Sequence, residues 1–340
     1  MKANVCRILL CLFVVLPLFV AAARPQDKTD EDVIRVDTNL VTVPVIVSDR
    51  QNRYISGLRS ENFTVTNEGQ KQKIDYFIAE EAPISVAILI DTSRSTQMVL
   101  DKIKKAAKEF VKQLKPADRA MVVSFDWQVT LLCELTGDQE KLKKAIKSAE
   151  IPERFGTMLN DAVYLAVDKG FAGVKGRKAI ILLTDGKDAG SYTRADELIY
   201  RMQESDALVY PVFYETGFDR PFRQRADFPF PNRRMGRGGG VWGRDDRNAE
   251  RRKQRQERQN EEAISFLREL ADVSAGRFFQ KETDDLDDAF QSIAEELRRQ
   301  YLIGFYPESV EPGRVYRIRI GVDRPDAVVR AKTVFRLKGN

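Results

Sequence analysis

The sequence predicts an α/β protein in which a parallel-rich sheet, with helices on both faces, is inserted in a small all-β sandwich. Three observations carry that reading. From Pro83 onward, short apolar runs alternate with segments of helical periodicity, the order that builds a parallel sheet. Strand-like runs without helices precede this unit, and a similar set follows it. Isolated three-stranded pieces are only marginally stable, so the two sets are expected to bury one another.

Met1 to Ala23 opens with Lys2 and Arg7, continues through an apolar stretch from Ile8 to Val20, and ends in Ala21, Ala22 and Ala23. That is the layout of a secretory signal peptide cut after Ala23. The thirteen residues Ile8 to Val20 span only about 20 Å at about 1.5 Å each, short of the roughly 30 Å of a bilayer core. No transmembrane helix is therefore expected in the mature chain; an uncleaved anchor is the alternative. Cys6 and Cys11 fall within the signal, which leaves Cys133 alone and no internal disulfide. An exported protein of this size without disulfides fits a bacterial periplasm, cell surface or extracellular medium. Asn62-Phe63-Thr64 is a glycosylation sequon, relevant only in a eukaryotic host.

Arg24 to Asp32 is charged and poor in apolar residues, a linker. Residues 33–80 form the first half of the sandwich. Leu40 to Val47 is rich in β-branched residues, and Pro44 within it predicts an edge strand. Glu61 to Thr66 and Gln72 to Phe77 flank Asn67-Glu68-Gly69, a hairpin turn. The α/β unit occupies residues 82–299. Ile84 to Ile90 reads as a strand buried on both faces. Ile103, Ala106, Ala107, Phe110, Val111 and Leu114 mark one face of a helix. Met121 to Phe125 and Val129 to Leu132 are strands, and Leu159 to Val167 is a helix opening just after Thr157. Ala179 to Leu183, the helix Arg194 to Glu204, Leu208 to Phe213, and helices at Ala263 to Val273 and Leu286 to Leu297 complete the alternation. Tyr301 to Tyr306, Val315 to Val322 and Ala327 to Phe335, within residues 300–340, supply the second half of the sandwich.

Residues 217–260 interrupt this pattern. They hold 13 basic residues against 6 acidic ones, a local balance of +7 where the whole chain is +5. The composition reads as a basic, Arg/Gly-rich flexible insertion with at most weak contact to an anionic surface. Nucleic acid is not an expected partner, because export removes most contact with it. Arg247 to Glu262 also reads as a polar extension of the next helix.

The chemistry is narrowed by what is missing. The chain has no histidine, which excludes Ser-His-Asp and Cys-His nucleophiles and zinc sites built on His. The phosphate loop G-x-x-x-x-G-K-[ST] is absent. What stands out is Asp91-Thr92-Ser93-Arg94-Ser95, at the carboxyl end of Ile84 to Ile90. Open α/β sheets place ligands at that end. A carboxylate with two hydroxyls at alternate positions is a hard oxygen set, suited to Mg²⁺ or Mn²⁺. Phe155-Gly156-Thr157 precedes a helix, and Thr184-Asp185-Gly186 ends a second apolar run; both are placed to complete the site. A haloacid-dehalogenase-type phosphatase would carry a second Asp where Ser93 stands. The plainer alternative is that Asp91 and Ser93 only cap a strand-to-helix turn.

This set resembles the metal-ion-dependent adhesion site of the von Willebrand factor type A (VWA) family, in which three loops supply Asp-x-Ser-x-Ser, Thr and Asp. The resemblance implies a Rossmann-like VWA fold over about Ala82 to Arg299. It implies Asp91, Ser93, Ser95, Thr157 and Asp185 as metal ligands. Arg94 stands where many members have a small residue; it assists an incoming carboxylate, shields the metal, or is a solvated turn residue. The element order also resembles a bacterial, chiefly acidobacterial, family of exported proteins with a VWFA-related domain. That likeness rests on Val36 to Val41, Gly57-Leu58 through Asn62-Phe63, and Tyr301 to Tyr306. The expected function is an exported, non-enzymatic protein-binding module whose divalent cation coordinates an Asp or Glu of a protein partner. The alternatives are a scaffold with an empty site, and an Mg²⁺-dependent hydrolase with Asp126 or Asp188 as base.

Overall fold

The computed structural model describes residues 40–215, 242–282, 285–308 and 310–338. The expected signal peptide and linker, the run 33–39, and residues 217–241 of the basic segment lie outside the described residues. Four strands come first: β1 (Val41–Ser48), β2 (Phe63–Asn67), β3 (Gln70–Gln72) and β4 (Tyr76–Ile78). β2 and β3 form the expected hairpin, with Asn67 paired to Gln70. Glu68 (φ +48°) and Gly69 (φ +85°) lie between them, both left-handed as a two-residue hairpin turn requires.

The α/β unit comes next, as β5 (Ile84–Asp91), α1 (Leu100–Gln113), β6 (Arg119–Phe125), β7 (Val129–Thr136), α2 (Gln139–Ser148), α3 (Leu159–Leu165), β8 (Arg177–Thr184), α4 (Ala195–Glu204), β9 (Ala207–Tyr214), α5 (Trp242–Ser274), β10 (Phe279–Lys281) and α6 (Leu286–Arg298). Its sheet has the order β10-β9-β8-β5-β6-β7. Every neighbouring pair is parallel except β6 and β7. The continuous apolar run of β5 divides between two cores. Val86, Ile88 and Ile90 meet Ile103 and Phe110 of α1, Leu142 of α2 and Phe290 of α6. Ala87 and Leu89 meet Leu159 of α3, Leu198 of α4 and Leu267 of α5. Each such side chain contributes about 1.5–3 kcal/mol by burial, which explains why β5 carries no polar alternation. α2 has no counterpart among the elements expected from the sequence, although Asp138 caps it by accepting from the N–H groups of Glu140 and Lys141.

The chain closes with β11 (Tyr301–Phe305), β12 (Val315–Val322), β13 (Val328–Ala331) and β14 (Val334–Arg336). These interleave with the first four strands into two sheets, β13-β1-β11-β4 and β14-β12-β2-β3. The sheets share a core of Val43, Val45, Phe63, Val65, Tyr301, Ile303, Ile318, Ile320 and Phe335. Three expectations are corrected. β1 is a central strand; the β13 ladder spans only Val45 to Ser48, so at Pro44 the strand has β11 alone as neighbour, and the missing N–H is tolerated. Gln72 to Phe77 divides between sheets, with β3 in one and β4 in the other. Ala327 to Phe335 also divides, into β13 and β14, at Lys332, whose buried ammonium turns aside to donate to the carbonyls of Met202 (2.7 Å), Gln203 (2.9 Å) and Ser205 (2.6 Å).

Residues 242–260 of the basic segment are helical, continuous with the apolar half of α5 that begins at Ala263. The expected flexible insertion does not extend over them. Beyond Gly243 this stretch has no Gly or Pro and is rich in Arg, Gln and Glu, all good helix formers. Ion pairs one turn apart, Lys253–Glu257 (3.7 Å) and Arg258–Glu262 (3.8 Å), add a few tenths of a kcal/mol each.

Candidate metal centre

Asp91 is the last residue of β5 and is fully buried. Its Oδ1 accepts from the Ser93 N–H at 2.9 Å, and its Oδ2 accepts from the Thr184 hydroxyl at 2.7 Å. The second bond ties the ends of β5 and β8 together. Thr184 in turn accepts from the Gly186 N–H at 2.9 Å. Thr96 donates to the carbonyl oxygens of Ser93 (2.8 Å) and Asp91 (3.1 Å), which folds the loop back on itself. The folded loop sets the hydroxyls of Ser93 and Ser95 3.0 Å apart.

Asp185 directly follows β8 and is 3% exposed. Its Oδ1 accepts a long 3.4 Å bond from the Lys187 N–H. Its Oδ2 is buried with no hydrogen-bond donor; the Lys187 ammonium lies 3.5 Å away as an ion-pair partner. Gly186 makes the turn with φ +79°, and a Cβ there would lie 3.0 Å from the Ala263 methyl. Glycine is thus required both by the left-handed backbone and by the approach of α5.

Thr157 enters through loop stitching. Its N–H and carbonyl pair with Ala189 (3.2 and 2.8 Å), beyond Asp185. The next residue, Met158, donates to the Asp126 carbonyl at 2.8 Å. The Asp126 carboxylate accepts from the Thr92 hydroxyl (2.7 Å) and the Gln128 N–H (3.2 Å). Gly156 allows the chain to pass Trp127, whose Cα would lie 2.9 Å from any Cβ at that position. The three sequence segments therefore converge at the carboxyl end of the parallel strands. Asp126 and Asp188 serve the scaffold: Asp188 accepts from Ser191 (2.6 Å) and from the Asn160 N–H in the first turn of α3 (3.3 Å).

Electrostatically the site is short of positive charge. Burial, then the nearby Asp185, pushes the Asp91 carboxyl up to about 7, against the bonds from Ser93 and Thr184. Tyr214, at the end of β9, is fully buried with no hydrogen-bond partner for its hydroxyl. Burial and the charges of Asp91 and Asp185 raise its phenol well above the ordinary range. Sequence reasoning placed Thr184 in the segment that completes the site but not its bond to Asp91, and it missed Tyr214; both lie at the carboxyl ends of apolar strands, where polar residues in buried runs are a readable signal. Among the described residues no group of three or more His, Cys, Asp or Glu is arranged to hold a metal ion by itself, so hydroxyls must share in any such site. The donors here are two carboxylates and hydroxyls, a hard set in which the orphaned Asp185 Oδ2 and the raised Asp91 carboxyl fit a divalent cation.

Residues 85–226 match the family model of the von Willebrand factor type A domain. The chain contains a VWA domain. Solved structures that align with it include BatB from Bacteroides thetaiotaomicron, at 19% identity over 63% of this chain and 97% of that one, with a TM-score of 0.43. The vWF domain of the type V pili tip protein Mfa5 from Porphyromonas gingivalis aligns at 14% identity over 64% and 95%, with a TM-score of 0.45. Proximal thread matrix protein 1 from the mussel byssus, with a zinc-occupied MIDAS motif, aligns at 16% identity over 67% of this chain and 48% of that one, with a TM-score of 0.46. No curated protein matches by sequence. VWA domains are commonly protein-interaction modules. Among the described residues no helix is long and apolar enough to cross a membrane.

Proposed function

We propose that the protein is an exported interaction module whose VWA domain binds a protein partner through a divalent cation, Mg²⁺ or Mn²⁺, held by Asp91, Ser93, Ser95, Thr157 and Asp185. In this reading residues 1–23 are the signal peptide and 24–32 a linker, residues 33–80 and 300–340 make the sandwich, and 82–299 the VWA domain. The observation that carries it is the convergence of two buried carboxylates with the Ser93–Ser95 hydroxyl pair, one carboxylate oxygen lacking any hydrogen-bond donor. Burying two neighbouring carboxylates against a single ion-pair partner among the described residues, Lys187, costs several kcal/mol, a deficit that a bound cation would offset. A bound divalent ion supplies a positive centre with an exchangeable water position, which a carboxylate of the partner can take. Asp91 and Asp185 hold the charge; Thr184 and the Ser93 N–H orient Asp91; Thr96 and Asp126 hold the loops in register. A hydrolytic role is disfavoured because Asp126 and Asp188, the candidate bases, are engaged in loop hydrogen bonds.

One observation favours the scaffold alternative: the Lys187 ammonium, 3.5 Å from Asp185, is an internal cation that can partly neutralise an empty site. A thermal melt separates the two. At a hundredfold excess over Kd, Mg²⁺ or Mn²⁺ should stabilise the protein by about 2.7 kcal/mol, a rise of a few degrees, lost in Asp91→Ala. A melt identical with metal and with chelator would select the scaffold.

A further inference from the structure

The loops around the proposed site carry an unusual rim. The guanidinium of Arg94 stacks on the Phe155 ring, 4.5 Å from its centroid. That of Arg154 stacks on Trp127 at 4.4 Å. The two stacks are contiguous, since Arg154 and Phe155 are neighbours and the adjoining Gly156 packs on the Trp127 backbone. Both arginines are exposed, and among the described residues neither guanidinium is paired with a carboxylate. Three acidic side chains of the neighbouring loops are engaged elsewhere: Asp126 and Asp188 as described, and Asp161 with the N–H groups of Tyr192 (2.9 Å) and Thr193 (2.8 Å); Glu153, next to Arg154, is exposed. The rim also presents Met98, Phe155 and Tyr192 at 76, 75 and 87% exposure, all large apolar or aromatic side chains left in water.

A stacked guanidinium keeps its edge N–H groups free and loses little freedom on binding, so it suits bidentate capture of a carboxylate. Exposed Met98 and Phe155 add an apolar patch beside the charged rim, and such a patch gains by covering an apolar side chain of a polypeptide. We propose that the partner's binding segment is an acidic polypeptide with at least two carboxylates beside an apolar residue. One carboxylate takes the metal position, the second lies on Arg94 and Arg154, and the apolar residue covers Met98 and Phe155. This rests on the metal-dependent reading above, to which it adds the kind of partner.

The test is selection of random dodecapeptides displayed on phage against the full chain in Mg²⁺, then anisotropy titration of the best fluorescein-labelled synthetic peptide. Selected sequences should carry two or more Asp or Glu beside an apolar residue and should be released by EDTA. The Arg94→Gln/Arg154→Gln variant, whose Mg²⁺-induced melt shift should persist because neither side chain is a proposed ligand, should weaken the peptide by about tenfold or more, the scale of one charge-assisted contact. Peptides that need Mg²⁺ but carry one acidic residue and ignore the Arg substitutions would overturn this inference and leave the metal reading standing. Peptides bound equally in EDTA and by Asp91→Ala would overturn both. Failure to enrich any peptide overturns the polypeptide assignment, and Mg²⁺-dependent binding of alginate in that case would assign the rim to an acidic polysaccharide.

Discussion

Asp91 is the residue on which the site turns, and its ionisation is testable without a ligand. The unfolded chain gives up this proton near the ordinary carboxylate value of about 4, whereas the folded chain holds it to about 7. Its contribution to stability is therefore complete below about pH 4 and is lost as pH rises through 7. In chelator, the wild type should lose urea resistance relative to Asp91→Asn between pH 4.5 and 7.5, and saturating Mg²⁺, bound by the wild type alone, should reverse that loss; a pH-independent difference in chelator would contradict the account. Gly186 tests the neighbouring loop by backbone alone. With φ +79° and a Cβ position 3.0 Å from Ala263, Gly186→Ala should cost about 1–3 kcal/mol in a denaturant titration.

Among the elements, α4 and α6 carry buried polar contacts to the sandwich. The Lys332 ammonium, pushed down to about 7 by burial against the charges of Asp206 and Glu204, satisfies three carbonyls at the end of α4. Helix ends leave carbonyls without intrahelical partners, so this is a cap delivered from another sheet. Lys332→Met should lower stability by about 1–3 kcal/mol or more, since the carbonyls stay buried. Glu296 of α6, 1% exposed, accepts from Tyr210 (2.8 Å) and Tyr54 (3.1 Å) and pairs with Arg330. Glu296→Ala strands the Arg330 guanidinium and two hydroxyls and should cost about 3–5 kcal/mol; an effect below 1 kcal/mol in the same titration would show that water replaces the carboxylate.

For the molecule as a whole, the sandwich is a single core drawn from both ends of the sequence. β1 lies between β11 and β13, and β2 between β12 and β3. Ending the chain before Tyr301 removes both partners of β1 and exposes Val43, Val45, Phe63 and Val65. Such a truncation should aggregate or melt well below the full chain in light scattering and circular dichroism. An unchanged melting temperature would show that the VWA domain owes nothing to the sandwich.

The apolar run of β5, the heptad-like face of α1 and the Asp-x-Ser-x-Ser segment were legible in the sequence because each is a local pattern: burial on both faces removes alternation, and the end of a strand exposes the loop residues attached to it. The turn at Asn67-Glu68-Gly69 was legible through Gly69, which accepts left-handed backbone freely, whereas the left-handed Glu68 is set by the strand pairing on either side. The tertiary structure alone decided that Gln72 to Phe77 and Ala327 to Phe335 each divide between two sheets, because a strand's sheet is chosen by its partners. It also decided which buried polar groups pair across the fold: Thr184 with Asp91, Lys332 on α4, Glu296 among tyrosines and arginines. Those pairings join residues up to 242 positions apart, a separation at which no sequence period operates and only the packing of separate elements brings donors to acceptors.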